Sequence, residues 1–302
     1  MRSLPACHGC YSRGTYVRAS PITVCASSNS KHYSARVAET LPLTGERTAP
    51  GIWHENYWFA RHEAAYRWLA SSEGSASGHV LDAGCGEGYG AELLRTAGTD
   101  AVIGLDYDST TLRHVAKVYP QINLLQGNLV QQGLADDSFD LVVSMQTIEH
   151  LWDQPAFIAE CARVLRPGGT LVLSTPNRLT FPSGNWYHTK ELTAAEFVKL
   201  VERELDVTDV LGLCHGERLA HWESRYGSCV DAQLAGEPTT WSPELTELVR
   251  SIGYRDFEIS SRPGDLDESL DLIVVARPAN ERTSGAGLYG RTKRSTILPA
   301  IR

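Results

Sequence analysis

The stretch "VLDAGCGEGYG", Val80 to Gly90, places four glycines within seven positions after a short apolar run that ends in an aspartate. Glycine is costly inside regular structure, so such a cluster marks a turn too tight for side chains, or a ligand lying against the main chain. The pattern around it is regular. "HVLDA" (79–83), "AVIGLD" (101–106), "INLLQ" (122–126), "FDLVVSM" (139–145), "TLVLST" (170–175) and "LDLIVVA" (270–276) are short apolar runs rich in Leu or β-branched residues. "GAELLRTAG", "STTLRHVAKVY" and "PAFIAECARVLR" have helical spacing and separate most of them. Strands alternating with helices predict a parallel sheet covered on both faces. The glycines then occupy the first strand-to-helix turn, where such a sheet binds its ligand.

A dinucleotide would need its third glycine three residues after the second, and Tyr89 stands there instead, because Gly84, Gly86 and Gly88 alternate. The following strand ends supply other groups. The second ends in Asp106, whose carboxylate suits a ribose diol, followed by Tyr107, which can lie against a base. The third ends in "GNL", where the Asn128 amide can pair with an adenine edge and Leu129 can close over the ring. The fourth carries "SMQTIEH", with Gln146, Glu149 and His150, into the same cleft. Singly, Asp106 reads as well as a helix cap and Asn128 as a turn residue. Their succession at four strand ends favours a nucleoside ligand.

In order, "VLDAGCGEGYG", "GLDYD", "GNL", "DDSFDLVVSMQTIEH" and "VLRPGGTLVLSTPNR" resemble the class I S-adenosylmethionine-dependent methyltransferases over about a hundred residues. The resemblance implies an α/β fold: a Rossmann-like, doubly wound, mostly parallel sheet of about seven strands, with helices on both faces and an N-terminal lid helix. It implies S-adenosyl-L-methionine as cofactor, its methionine portion held by Asp82 and the Gly84–Gly88 backbone, its ribose by Asp106, and its adenine by Tyr107, Asn128 and Leu129. Many members carry an acid where this chain has Asn128. Flanking stretches such as "HENYWFARHEAAY", "YHTKEL" and "GLCHGERL" are similar to actinobacterial enzymes associated with polymethylated polysaccharide (methylglucose or methylmannose) biosynthesis.

Composition narrows the partners. Of 28 basic and 36 acidic residues, positions 51–280 hold 17 and 33, a body that repels nucleic-acid backbones. No apolar run reaches membrane-spanning length, and seven scattered cysteines favour a reducing compartment, hence the cytoplasm. Residues 1–42 and the basic tail 281–302 read as disordered extensions around a methyltransferase domain at 43–280. The acceptor is expected to be a small molecule or glycan, and the oligomeric state is left open.

A hydroxyl acceptor calls for a base, and His150, His188 and His215 lie where loops should meet the cleft. His150, directly after the fourth strand, is the expected base, with Glu149 orienting it or adding acidic field; a helix-capping histidine is the competing reading. Glu149, His150, His188 and His215 also suit a divalent cation should their loops converge. Trp53, Tyr57 and Trp58 are expected on the lid helix, where Arg61 would clamp the cofactor carboxylate. Trp222 and Tyr226 can stack on a sugar face. A quinone or acyl-carrier acceptor, a non-catalytic cofactor-binding scaffold, and a dehydrogenase are the competing functions, the last disfavoured by the glycine spacing.

Overall fold

Asp82 and Asp106 end adjacent parallel strands, and the sheet around them positions everything that follows. A computed structural model describes residues 16–17, 47–71, 78–182 and 185–279; apart from Tyr16–Val17, the readings for 1–42 and 281–302 lie outside these residues. The strands are β1 (Tyr16–Val17), β2 (His79–Ala83), β3 (Ala101–Asp106), β4 (Asn123–Gln126), β5 (Phe139–Met145), β6 (Leu165–Pro176), β7 (Asp206–His215), β8 (Phe257–Ser260) and β9 (Asp271–Arg277). They form one sheet in the order β1-β4-β3-β2-β5-β6-β9-β7-β8. β2 to β6 are mutually parallel, whereas β9 runs antiparallel to both its neighbours, β6 and β7. The chain leaves β2 for β3 on one side and returns to β5 on the other, so the topological switch lies beside the glycine turn.

The helices are α1 (Asn56–Ser71), α2 (Tyr89–Thr96), α3 (Ser109–Val118), α4 (Gln154–Val164), α5 (Ala194–Val201), α6 (Glu217–Tyr226), α7 (Cys229–Leu234) and α8 (Pro243–Ser251). Local chemistry fixes several of their starts. Asp108 and Asp153 cap α3 and α4 by accepting backbone N–H bonds, and Thr193 with Glu196 forms a reciprocal capping box on α5.

Alternation along the strands splits the core in two. Val80, Leu141, Val143 and Met145 face one cluster, which includes residues of α1, α2, α3 and α8; Leu81, Val142 and Leu171 face the other, with α4 and α5. Parallel strands buried on both faces read as continuous apolar runs, as the sequence had them. Between β7 and β9 the chain forms α6, α7, α8 and β8. The N-terminal helix expected as a lid packs against α2 and β8, with Tyr57 fully buried in the core.

Candidate functional site

The glycine turn is tied down by its neighbours. Gly84 and Cys85 N–H both donate to the Leu105 carbonyl, at 2.8 and 3.1 Å, and Gly84, Gly86 and Gly88 take positive φ of 88°, 47° and 77°. A Cβ on Gly84 would strike Thr147 and one on Gly88 would strike Val115, so these two serve the protein's own packing. At Gly86 the nearest group is Arg47 Cδ at 3.9 Å, which leaves the turn's middle open for a ligand's approach. Asp82 lies behind the turn, fully buried, with Oδ1 accepting from the Tyr66 hydroxyl at 3.0 Å. Its Oδ2 has no partner, and burial pushes its carboxyl up to about 7. An orphaned buried acceptor behind an open glycine turn fits a ligand that brings positive charge.

Asp106 ends β3, buried, with Oδ2 accepting from Gly86 N–H (3.0 Å) and Oδ1 from Asp108 N–H (2.9 Å), so it holds the turn in place. Tyr107 beside it is exposed. Asn128 is exposed and its Oδ1 accepts from Val130 N–H at 3.1 Å, which leaves the amide NH₂ as the end able to face a ligand. Leu129, expected to close over the ring, is buried in the core cluster that holds Leu105 and Leu125.

Beyond the ends of β5 and β6 opens a cavity of about 460 Å³, walled by Arg61, Gln146, Glu149, His150 and His188 among others. Gln146 has φ of 53°, rare for a residue with a Cβ, and its N–H donates to the Ser174 carbonyl at 3.0 Å. Glu149 is 1% exposed; Thr175 Oγ1 donates to its Oε2 at 3.2 Å, and burial pushes its carboxyl up to about 8. His150 Nδ1 lies 3.0 Å from the Tyr187 carbonyl, which can only accept, so Nδ1 carries the proton and Nε2 keeps its lone pair when the ring is neutral. That Nε2 lies 4.0 Å from Glu149 Oε1.

Three sequence expectations change here. His188 uses both ring nitrogens, Nδ1 toward Glu191 (2.7 Å) and Nε2 toward the Asn185 amide (3.0 Å), so it fixes its loop and has no nitrogen left over to take a proton. Arg61 reaches the cavity wall, but its Nε and Nη2 form a bidentate pair with buried Asp271, which replaces the expected carboxylate clamp. The four-residue cation cluster does not form either. Glu149, His150 and His188 gather with candidate ligand atoms within 4.8 Å, while His215 groups separately with Glu223 and Cys229. His215 bonds Glu223 and the Tyr57 hydroxyl, at 2.9 and 2.8 Å.

Sequence reasoning missed Arg47, His62 and Trp186. Arg47 lies over the turn, donating to Asp108 and Thr111 at 3.0 and 2.6 Å. His62 lines the cavity, pushed down to about 4 by burial, so it is neutral there. Trp186 stands 98% exposed at the rim, and its place in "GNWYH" was the signal available. A larger hollow of about 660 Å³ lies among α1, the far end of α2 and β8, away from the glycine turn, and contains none of the predicted residues.

This arrangement, a switch-point glycine turn with an acid at the next strand end, defines a nucleoside-binding α/β enzyme. Residues 81–173 match the family described as "Methyltransferase domain". A "probable S-adenosylmethionine-dependent methyltransferase" of Mycolicibacterium smegmatis is 48% identical over 246 residues, covering 78% of this chain and 95% of that one. Its namesake in Mycobacterium tuberculosis H37Rv is 46% identical over 249 residues, covering 78% and 89%. A ubiquinone biosynthesis O-methyltransferase of Rhodopseudomonas palustris is 31% identical over 164 residues, covering 47% and 64%. A solved SAM-dependent methyltransferase from Thermotoga maritima shares the fold, with TM-score 0.51, 16% identity, and 75% and 91% coverage. The chain therefore belongs to the S-adenosylmethionine-dependent methyltransferases, and S-adenosylmethionine is its cofactor. Among the described residues, no helix is long and apolar enough to cross a membrane.

Proposed function

We propose that the protein methylates a hydroxyl of a sugar or other small molecule, with His150 as general base. The observation that carries this is the His150 ring, fixed by the Tyr187 carbonyl with Nε2 as its basic nitrogen, in a cavity beyond the strand end that adjoins the glycine turn. S-adenosylmethionine supplies a methyl already activated on a cationic sulfur. The chain's residues then have to bind, align and exclude water. Asp82 and the Gly84–Gly88 backbone would face the methionine portion, Asp106 the ribose diol, and Tyr107 with the Asn128 amide the adenine.

Gln146 marks the boundary between cofactor and acceptor. Its backbone bond to Ser174 fixes where β5 turns into the cavity. Glu149 is the group whose ionisation a neighbouring cation would favour, since burial otherwise holds it protonated. In that chemistry the acceptor oxygen would gain the methyl while S-adenosylhomocysteine leaves; His150 Nε2 would take the hydroxyl proton, and the Tyr187 carbonyl would steady the imidazolium through Nδ1. Arg61, Trp58 and Phe181 wall the space against water.

Methyl transfer from labelled S-adenosylmethionine to mono- and disaccharides, partly methylated sugars, quinone precursors and acyl-carrier thioesters tests the reading, with and without a chelator. Label in a sugar that persists with chelator supports it. Chelator-abolished transfer would reassign Glu149, His150 and His188 to a divalent cation. Label confined to a quinone, the acceptor class named for the Rhodopseudomonas relative, or to a thioester would overturn the acceptor.

A further inference from the structure

A third hollow, of about 260 Å³, lies between α6 and the segment that follows α7. Trp222 and Tyr226, four residues apart on one face of α6, have ring centroids 5.0 Å apart, and Trp241 lines the same hollow. No charged side chain lines it, while Asp231, Glu237 and Glu244 are exposed nearby. It shares a wall with the cavity of His150. Leu234 lines that cavity, and the next two residues, Ala235 and Gly236, line the aromatic hollow. On the other side Trp53 packs edge-on against Trp241 at 5.9 Å, and two residues later Glu55 lines the cavity.

We propose that this hollow is a distal sugar subsite, holding one unit of a glycan acceptor whose reacting unit lies beside His150. The proposal rests on the sugar-hydroxyl reading above. Aromatic side walls suit the C–H faces of a pyranose, which stack on flat rings while the hydroxyls point to the edge. Two hydroxyls stand at that edge. Ser242 Oγ accepts from Leu245 N–H and can still donate, and Thr240 Oγ1 donates to the Glu237 carbonyl and can still accept. Trp241 Nε1–H is spent on the Gly236 carbonyl at 2.9 Å, so the indole is held in place and offers its ring. Around it Asp231, Glu237 and Glu244 are balanced by Arg225, 5.2 Å over the Tyr226 ring, and Arg250, 3.9 Å over the Trp53 ring, so the rim carries both signs and the lining itself is neutral, as a neutral glycan requires.

The test uses the full chain loaded with S-adenosylhomocysteine and a ladder of gluco-oligosaccharides from the monosaccharide upward. Binding is read by saturation-transfer NMR and calorimetry, and turnover separately with S-adenosylmethionine. Binding should tighten once the ladder is long enough to cross Leu234. Tyr226→Ala, at an exposed position, should remove about tenfold of that gain while sparing monosaccharide and cofactor binding; Trp222→Phe, which keeps the packing, should remove less. Length-dependent binding lost in Tyr226→Ala upholds the subsite even where no sugar is methylated, an outcome that would sink only the acceptor reading. Binding independent of length, equal loss across the whole ladder, or protection of Tyr226 by a peptide or a vesicle in place of sugar would overturn it.

Discussion

Gln146 holds a left-handed backbone at the end of β5, a conformation that costs a residue with a Cβ of the order of 1 kcal/mol or more. Gln146→Gly should therefore melt no lower than the parent and turn over more slowly; a lower melting temperature would show that the conformation carries no strain. The roles proposed for Asp106 and His150 separate binding from chemistry. Asp106→Ala should weaken S-adenosylmethionine binding by roughly tenfold to a hundredfold, the value of hydrogen bonds to a charged group. His150→Ala should leave that affinity intact and lower turnover by about 10²–10⁴. Calorimetry alongside initial rates checks the division, and equal losses of affinity in both variants would dissolve it. Asp106 and the glycines were legible because chain spacing alone puts them at strand ends. Arg47 and the true partner of Arg61 were not, since each depends on a neighbour distant in sequence: Asp271 lies 210 residues from Arg61, and Asp108 lies 61 from Arg47. His188 is different, because Asn185 and Glu191 stand three residues to either side and only the fold of their loop turns both onto the ring.

Among the elements, α1 and α2 meet at a contact with no slack. A Cβ on Gly90 would come within 2.2 Å of the Tyr66 ring, whose hydroxyl holds Asp82. Gly90→Ala improves helix propensity yet should destabilise by about 1–3 kcal/mol, because the ring must move and the Asp82 bond with it. Denaturant unfolding checks this, and a gain in stability would show the ring to be free to yield. The helices of the central domain were readable where one face is apolar, as in α3 and α4. α6 is polar overall and buries only Leu219, so no apolar face announces it as a core helix.

At the scale of the whole molecule, two buried carboxyls set a pH dependence. Asp82 and Glu149 ionise near 4 in an unfolded chain and near 7 and 8 in the fold, both raised by burial. The folded state thus binds more protons between about pH 4 and 8, and its stability falls as pH rises through that window. The melting temperature of the free protein should fall from pH 5 to 8.5, and Asp82→Asn should flatten the fall. A rise over that range in the free protein would show that these groups are ionised throughout. The parallel half of the sheet followed from the strand–helix alternation, and where about seven strands were expected the described residues form nine. β9 was seen as a strand, but its insertion between β6 and β7 was not, because antiparallel placement at the end of a chain leaves no local mark.

The bidentate pair of Arg61 with Asp271 joins the first helix of the domain to its last strand. β2 to β6, with the glycine turn and Asp106, all precede residue 177, so a chain emerging from the ribosome can assemble the nucleoside end early. The wall that carries Arg61 cannot close until Asp271 has been synthesised. During translation, the five parallel strands are complete well before β9, which must then enter the sheet between β6 and β7 to bring Asp271 to Arg61.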